Sequence, residues 1–145
     1  MKRPNSSMQL TRAADYAVRV MIQLSASPAD GRVSLPALAR TTGAPESFLS
    51  KVLQSLARAG LISSRRGQAG GFRISQRGRV ASMLEVIEAI EGAIRLNVCM
   101  VPGRSCSRKV QCPAHPVWVE TQRAMLAVLS GTSIADMAAQ APRRR

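Results

Sequence analysis

Residues 46–75 read ESFLSKVLQSLARAGLISSRRGQAGGFRIS, and the fold turns on how this stretch is divided. From Glu46 to Ala59 the spacing predicts a helix ended by Gly60, with Phe48, Leu49, Val52, Leu53, Leu56 and Ala57 along one buried face. Ser47, Ser50, Lys51, Gln54 and Arg58 fall on the opposite, polar face. Leu61–Ser64 and Phe72–Ser75 read as two short strands joined by a Gly-rich basic tip, from Arg65 and Arg66 to Gly70 and Gly71. A polar-faced helix followed at once by a basic hairpin reads as a recognition helix with its wing. Six arginines lie between Arg58 and Arg79 with no acidic residue among them. An Arg at the tip of a narrow hairpin is shaped to enter a minor groove, where the negative potential favours it.

Upstream, Leu10, Ala13, Ala14, Ala17, Met21 and Leu24 keep helical spacing behind a Thr11 cap. A second, short helix is expected at Leu35–Thr42, capped by Ser34 with Pro36 in its first turn. The break at Gly43-Ala44-Pro45 then makes a helix-turn-helix, whose second helix enters the major groove. Downstream, Ser82-Met83-Leu84-Glu85 fits a capping box. That helix has an apolar stripe of Met83, Val86, Ile87 and Ile90, three glutamates (Glu85, Glu88, Glu91) on a solvated face, and Gly92 as its end. After a cysteine-bearing loop comes a long helix, from His115 to about Leu129 and stopped by Gly131, then a short terminal helix at Thr132–Ala138. The long helix has an apolar arc wider than one small neighbour covers, so a second protomer is expected against it. The expected architecture is mainly α with a small β-hairpin wing: a winged helix-turn-helix head plus a long dimerisation helix. The expected divisions are a disordered tail at 1–7, the DNA-binding head at 8–80, dimerisation helices with the cysteine loop at 81–138, and a basic tail at 139–145.

Composition agrees with a nucleic-acid partner. The 145 residues carry 21 Lys+Arg against 8 Asp+Glu, a formal charge of +13, and residues 1–80 hold 13 of those cations with only 3 acids. Every cation except Lys2, Lys51 and Lys109 is Arg, the side chain suited to forked contacts with phosphate and guanine. Aromatic residues are only 3%, which argues against single-strand binding by base stacking and leaves double-stranded DNA as the expected partner. No apolar run approaches the roughly 18–20 residues of a bilayer span, and Met1–Ser7 lacks the apolar stretch of a secretion signal, so a cytoplasmic protein with no membrane partner is expected. An enzyme acting on DNA is disfavoured because residues 1–80 offer only Asp15, Asp30 and Glu46, with no carboxylate cluster for catalytic magnesium. A basic RNA-associated protein is the alternative from another class.

All three cysteines, Cys99, Cys106 and Cys112, fall in one fourteen-residue stretch, and the chain's single histidine, His115, follows three residues later. An odd, clustered set in a cytosolic protein is not a disulfide framework. Three thiolates and one imidazole make a four-point metal site, with Arg104, Arg108 and Lys109 interleaved to offset the negative charge of such a centre. Zinc sites usually hold a tight C-x2-4-C knuckle, absent here, whereas wide spacing suits an iron–sulfur cluster. Zinc and a thiol redox sensor stay open as alternatives.

Several stretches together resemble the Rrf family of winged-helix transcription regulators, in its IscR-like and NsrR-like forms. These are Met8–Arg19, Leu49–Leu61, the wing Ser64–Phe72, Ile90-Glu91-Gly92 and Thr132–Asp136, so the resemblance covers about Met8 to Ala138. It implies a homodimer crossed through the long helix, reading a partly palindromic operator, with a [2Fe-2S] or [4Fe-4S] cluster on Cys99, Cys106 and Cys112 whose state changes DNA affinity. It places major-groove contacts at Ser47, Ser50 and Lys51 and the minor-groove contact at Arg66. For the fourth ligand it offers His115, the IscR-like pattern, or Asp15 of the partner chain, the NsrR-like pattern. The chain departs from the IscR-like pattern in its six-residue first cysteine gap, where five is usual, and in Ser50, where that pattern has a specificity-setting Glu.

Overall fold

A computed structural model describes residues 9–104 and 106–142; the tail 1–7 and the arginines at 143–145 lie outside the described residues. Helix α1 (Arg12–Ala26) starts where Thr11 Oγ1 accepts the Ala14 N–H at 3.3 Å, and buries Ala14, Ala17, Val18, Val20, Met21 and Leu24. Helix α2 (Leu35–Thr42) begins at the Ser34 cap and ends at Gly43, whose φ of 73° reverses the chain toward α3 (Glu46–Arg58). The predicted buried face of α3 is present in Leu49, Val52, Leu53 and Leu56. Ala57 is half-buried, and Phe48 stays 39% exposed, its ring set edge-on to Tyr16 at 5.8 Å, because it sits at the rim of the α1–α3 contact.

Strands β1 (Ile62–Arg65) and β2 (Gly71–Ile74) pair antiparallel in the register Ile62↔Ile74, Ser63↔Arg73, Ser64↔Phe72, Arg65↔Gly71. The hairpin is thus displaced toward its tip relative to the sequence reading. A further pairing, Val33 with Phe72 through N–H···O bonds of 2.9 and 2.8 Å, anchors β2 to the segment entering α2. One short helix was not expected, α4 (Gln76–Val80), capped by Ser75 Oγ on the Gly78 N–H.

Helix α5 (Met83–Glu91) has the predicted capping box, Ser82 and Glu85 exchanging hydrogen bonds at 3.2 and 2.8 Å. Its glutamates are not merely a solvated face, since Glu85 closes the box and Glu91 accepts the Thr11 N–H at 2.7 Å. Helix α6 (His115–Gly131) takes Gly131 as its last residue, and α7 (Ile134–Gln140) starts at the Ser133 cap, two residues beyond the expected start. A bridge between Ser82 and Ser133 ties the entrance of α5 to that of α7.

A single cluster of buried side chains joins α1, α3 and the hairpin to Val86 and Ile87 of α5 and Ile134 of α7. Each fully buried Leu or Ile there, such as Leu53 or Ile87, contributes roughly 1.5–3 kcal/mol. Helix α6 meets this core through half-buried Leu129; its one buried residue is Gln122, while Val117 and Val128 are 64% and 68% exposed. No helix among the described residues is long and apolar enough to cross a membrane.

Candidate DNA interface and cysteine loop

The polar side of α3 faces outward. Ser47, Lys51, Gln54 and Arg58 are exposed and Ser50 is half-buried, so the five residues singled out from sequence share one accessible face. Arg58 is steadied along its own helix, its Nη2 donating to Ser55 Oγ at 3.3 Å. Arg65 and Arg66 are exposed on the wing that follows this helix.

The wing closes only because glycine stands at its return. A Cβ on Gly70 would lie 2.2 Å from the Arg65 carbonyl oxygen. Gly71 holds a φ of +127°, and a Cβ there would lie 2.7 Å from the Val33 carbonyl oxygen. Arg32 adds a brace that sequence reading missed, its Nη1 donating to the Gly71 carbonyl at 3.2 Å. In the sequence it is one more residue beside a turn; only the Val33–Phe72 pairing places it against the wing. Among the described residues the ion pairs are Asp15–Arg19 at 3.0 Å and Glu120–Arg123. The cations of α3 and the wing therefore have no carboxylate partner there, and their charge is available to a polyanion.

The cysteine loop runs from Gly92 to Ala114 and holds, among the described residues, one 3-10 turn, Val98–Met100. It is pinned at both ends. Glu91, just before it, binds the amino end of α1 through Thr11, and the Leu96 N–H donates to Gln122 Oε1 at 3.0 Å. That bond explains why the sole buried residue of α6 is polar: the amide is spent on the loop backbone. At the far end His115 Nδ1 lies 3.4 Å from Cys99 Sγ, and the His115 N–H donates to the Cys112 carbonyl at 3.1 Å. Cys99 and Cys112 are half-buried and Cys106 is exposed, all three as free thiols.

The structure thus brings together Cys99 and His115. Among the described residues no three His, Cys, Asp or Glu side chains converge as for a metal ion, so Cys106 and Cys112 stand outside the pair. The backbone accounts for this, since turns close locally from Val101 to Arg104, Cys106 to Lys109 and Arg108 to Gln111 rather than folding the cysteines inward. Asp15 on α1 is held by Arg19. In donor chemistry the set fits a thiolate-rich centre, three sulfurs on one loop and an imidazole on the first residue of α6, with two of the four donors already in contact.

Comparison with known proteins gives a consistent set of relatives. Residues 10–140 match the family Rrf2, described as "Iron-dependent Transcriptional regulator". The ORF2 protein of Azotobacter vinelandii is 31% identical over 92% of this chain and 80% of its own length. The HTH-type transcriptional regulator IscR of Aliivibrio salmonicida is 26% identical over 90% of this chain and 77% of that protein. Among solved structures CymR (YrzC), the global cysteine regulator of B. subtilis, superposes with a TM-score of 0.75 at 24% identity, covering 94% of this chain and all of that one. That likeness bears out the winged-helix architecture with its two-stranded wing.

Proposed function

This chain belongs to the Rrf2 family of transcriptional regulators, and on that premise we propose that it is a homodimeric repressor whose operator binding is set by an iron–sulfur cluster in the cysteine loop. The observation that carries the cluster reading is the approach of His115 Nδ1 to Cys99 Sγ, in a loop fastened at both ends to helices. Cys99, Cys106, Cys112 and His115 would hold the cluster, with Asp15 of a partner chain as the competing fourth ligand. When bound, the cluster would supply a redox-sensitive and nitric oxide-sensitive centre.

The chain's own residues carry the consequence. Gln122 ties the loop's entry to α6, and Glu91 ties the end of α5 to the start of α1. Helix α1 packs against α3, so a change in the span of the loop reaches the recognition helix through packed elements. The exposed apolar side of α6, with Val117 and Val128, is the surface on which a second copy packs. Two heads so joined present their α3 helices to half-sites about one turn, ~34 Å, apart on a partly palindromic operator. Ser47, Ser50, Lys51, Gln54 and Arg58 read the major groove; Arg66, flanked by Arg65, enters the minor groove. Reorienting α6 alters the separation of the heads and with it the fit to the half-sites.

A thiol sensor without a cluster is the second reading, favoured by the exposure of Cys106. Anaerobic purification followed by a visible absorption spectrum with iron and sulfide analysis separates the two. A coloured protein containing iron and sulfide supports the cluster. A colourless, iron-free protein that takes up none on reconstitution refutes it and leaves the thiol sensor, while bound zinc points to a structural centre.

A further inference from the structure

A concavity of about 500 Å³ lies on the outer side of the hairpin, where β2 runs into α4, away from every cysteine. Gly60, Ser63, Arg73, Ser75, Arg77 and Arg79 line it. Three arginines line this space with no acidic residue in its wall, and none of the three forms an ion pair among the described residues. Arg77 is held in place because its Nη1 donates to the Ala59 carbonyl at 2.9 Å. Ser75 is spent locally, donating to the Gly60 carbonyl at 2.6 Å and accepting the Gly78 N–H at 2.9 Å. Ser63 is not: its Oγ is buried and has no hydrogen-bond partner, directly across the hairpin from Arg73. The Ser63 oxygen is closed off from solvent, so the polar groups left open to the concavity are the guanidiniums.

We propose that this concavity binds a phosphoryl group, with Arg73, Arg77 and Arg79 supplying charge-assisted donors. Guanidinium forks match the oxygen spacing of phosphate, and a wall without carboxylates favours an anion. The same chemistry is available from a free phosphate-bearing small molecule or from a backbone phosphate of the bound duplex flanking the wing. The site needs no cluster and would operate under either reading of the cysteine loop.

The test uses the full chain. Inorganic pyrophosphate is titrated calorimetrically into the DNA-free protein and into Arg73→Gln/Arg79→Gln, with the charge-matched Arg12→Gln/Arg95→Gln as control. In parallel, affinity for a duplex is measured against salt concentration for the same proteins. Single Arg73→Gln, which leaves the Arg77 and Ser75 hydrogen bonds intact, is carried alongside should the double variant unfold. Saturable pyrophosphate binding, weakened at least tenfold in the double variant and retained in the control, identifies a free ligand. No pyrophosphate binding, with the slope of log affinity against log salt reduced by about 0.9 for each phosphate no longer neutralised, identifies a DNA phosphate instead. Equal behaviour of wild type, variants and control in both measurements overturns the proposal.

Discussion

Replacing Gln122 by Leu removes the acceptor that fastens Leu96, at the entry of the cysteine loop, to α6 while nearly keeping the side-chain volume. In the wild type Gln122 is only 6% exposed and takes the Leu96 N–H at 3.0 Å. The substitution leaves that amide without its partner, and an unsatisfied buried donor costs about 1–3 kcal/mol. Leu96 is part-buried, so water recovers some of the loss, and the added apolar burial returns a little more. The net destabilisation is therefore expected near 1 kcal/mol, a fall in melting temperature of roughly 3 °C for a chain of this length. The sharper readout is local. Amide exchange at Leu96 should accelerate about fivefold to tenfold in the Leu variant, following from that ~1 kcal/mol, while amides in the core of α1 and α3 change little. Gln122→Glu keeps an acceptor and should retain the protection at Leu96, at the expense of a buried charge. Unchanged exchange at Leu96 in the Leu variant would refute the reasoning, because the buried amide would then not be what holds the loop.

Arg66→Ala should weaken binding to every duplex and lower the salt slope by about one, whereas Lys51→Ala should also shift which half-site is preferred; competition binding on a randomised site checks both. Val128→Asp or Val117→Asp, placed on the exposed apolar side of α6, should convert a dimer to a monomer by light scattering with the head still folded by circular dichroism. Gly71→Ala must adopt a φ of +127° with its Cβ 2.7 Å from the Val33 carbonyl, and backbone strain of this kind costs about 1–3 kcal/mol. A lowered melting temperature and lost minor-groove protection in hydroxyl-radical footprinting are expected together.

Local signals make most of the fold legible in the sequence. The caps at Thr11, Ser34 and Ser82, together with the apolar spacing of α3, place four helices within a residue or two. Helix α4 escapes because its five residues carry two arginines and a glycine and no apolar period, although Ser75 could have been read as its cap. Pairings between residues far apart along the chain leave no trace in it. The Val33–Phe72 pairing rests on a single residue per side, and Glu91 bound to Thr11 spans 80 positions. Gln122 looks like any polar residue on an apolar helix, since a side chain's bond to a distant backbone amide has no period to announce it. At the site, spacing groups three cysteines and His115 without saying which of them meet; the Cys99–His115 approach and the separation of Cys106 and Cys112 from that pair follow from turns that the loop's composition does not specify.

Operator affinity measured with and without the cluster bears most directly on the central claim. The duplex that the chain selects from a random pool is labelled and titrated, by fluorescence anisotropy under anaerobic conditions, first with the iron-loaded protein and then with the same preparation stripped by a chelator. Cluster control of the recognition helices requires the two dissociation constants to differ by tenfold or more, with Cys99→Ser matching the stripped form whether or not iron is offered. Equal affinities for loaded and stripped protein, with iron and sulfide demonstrably present in the first, would contradict it.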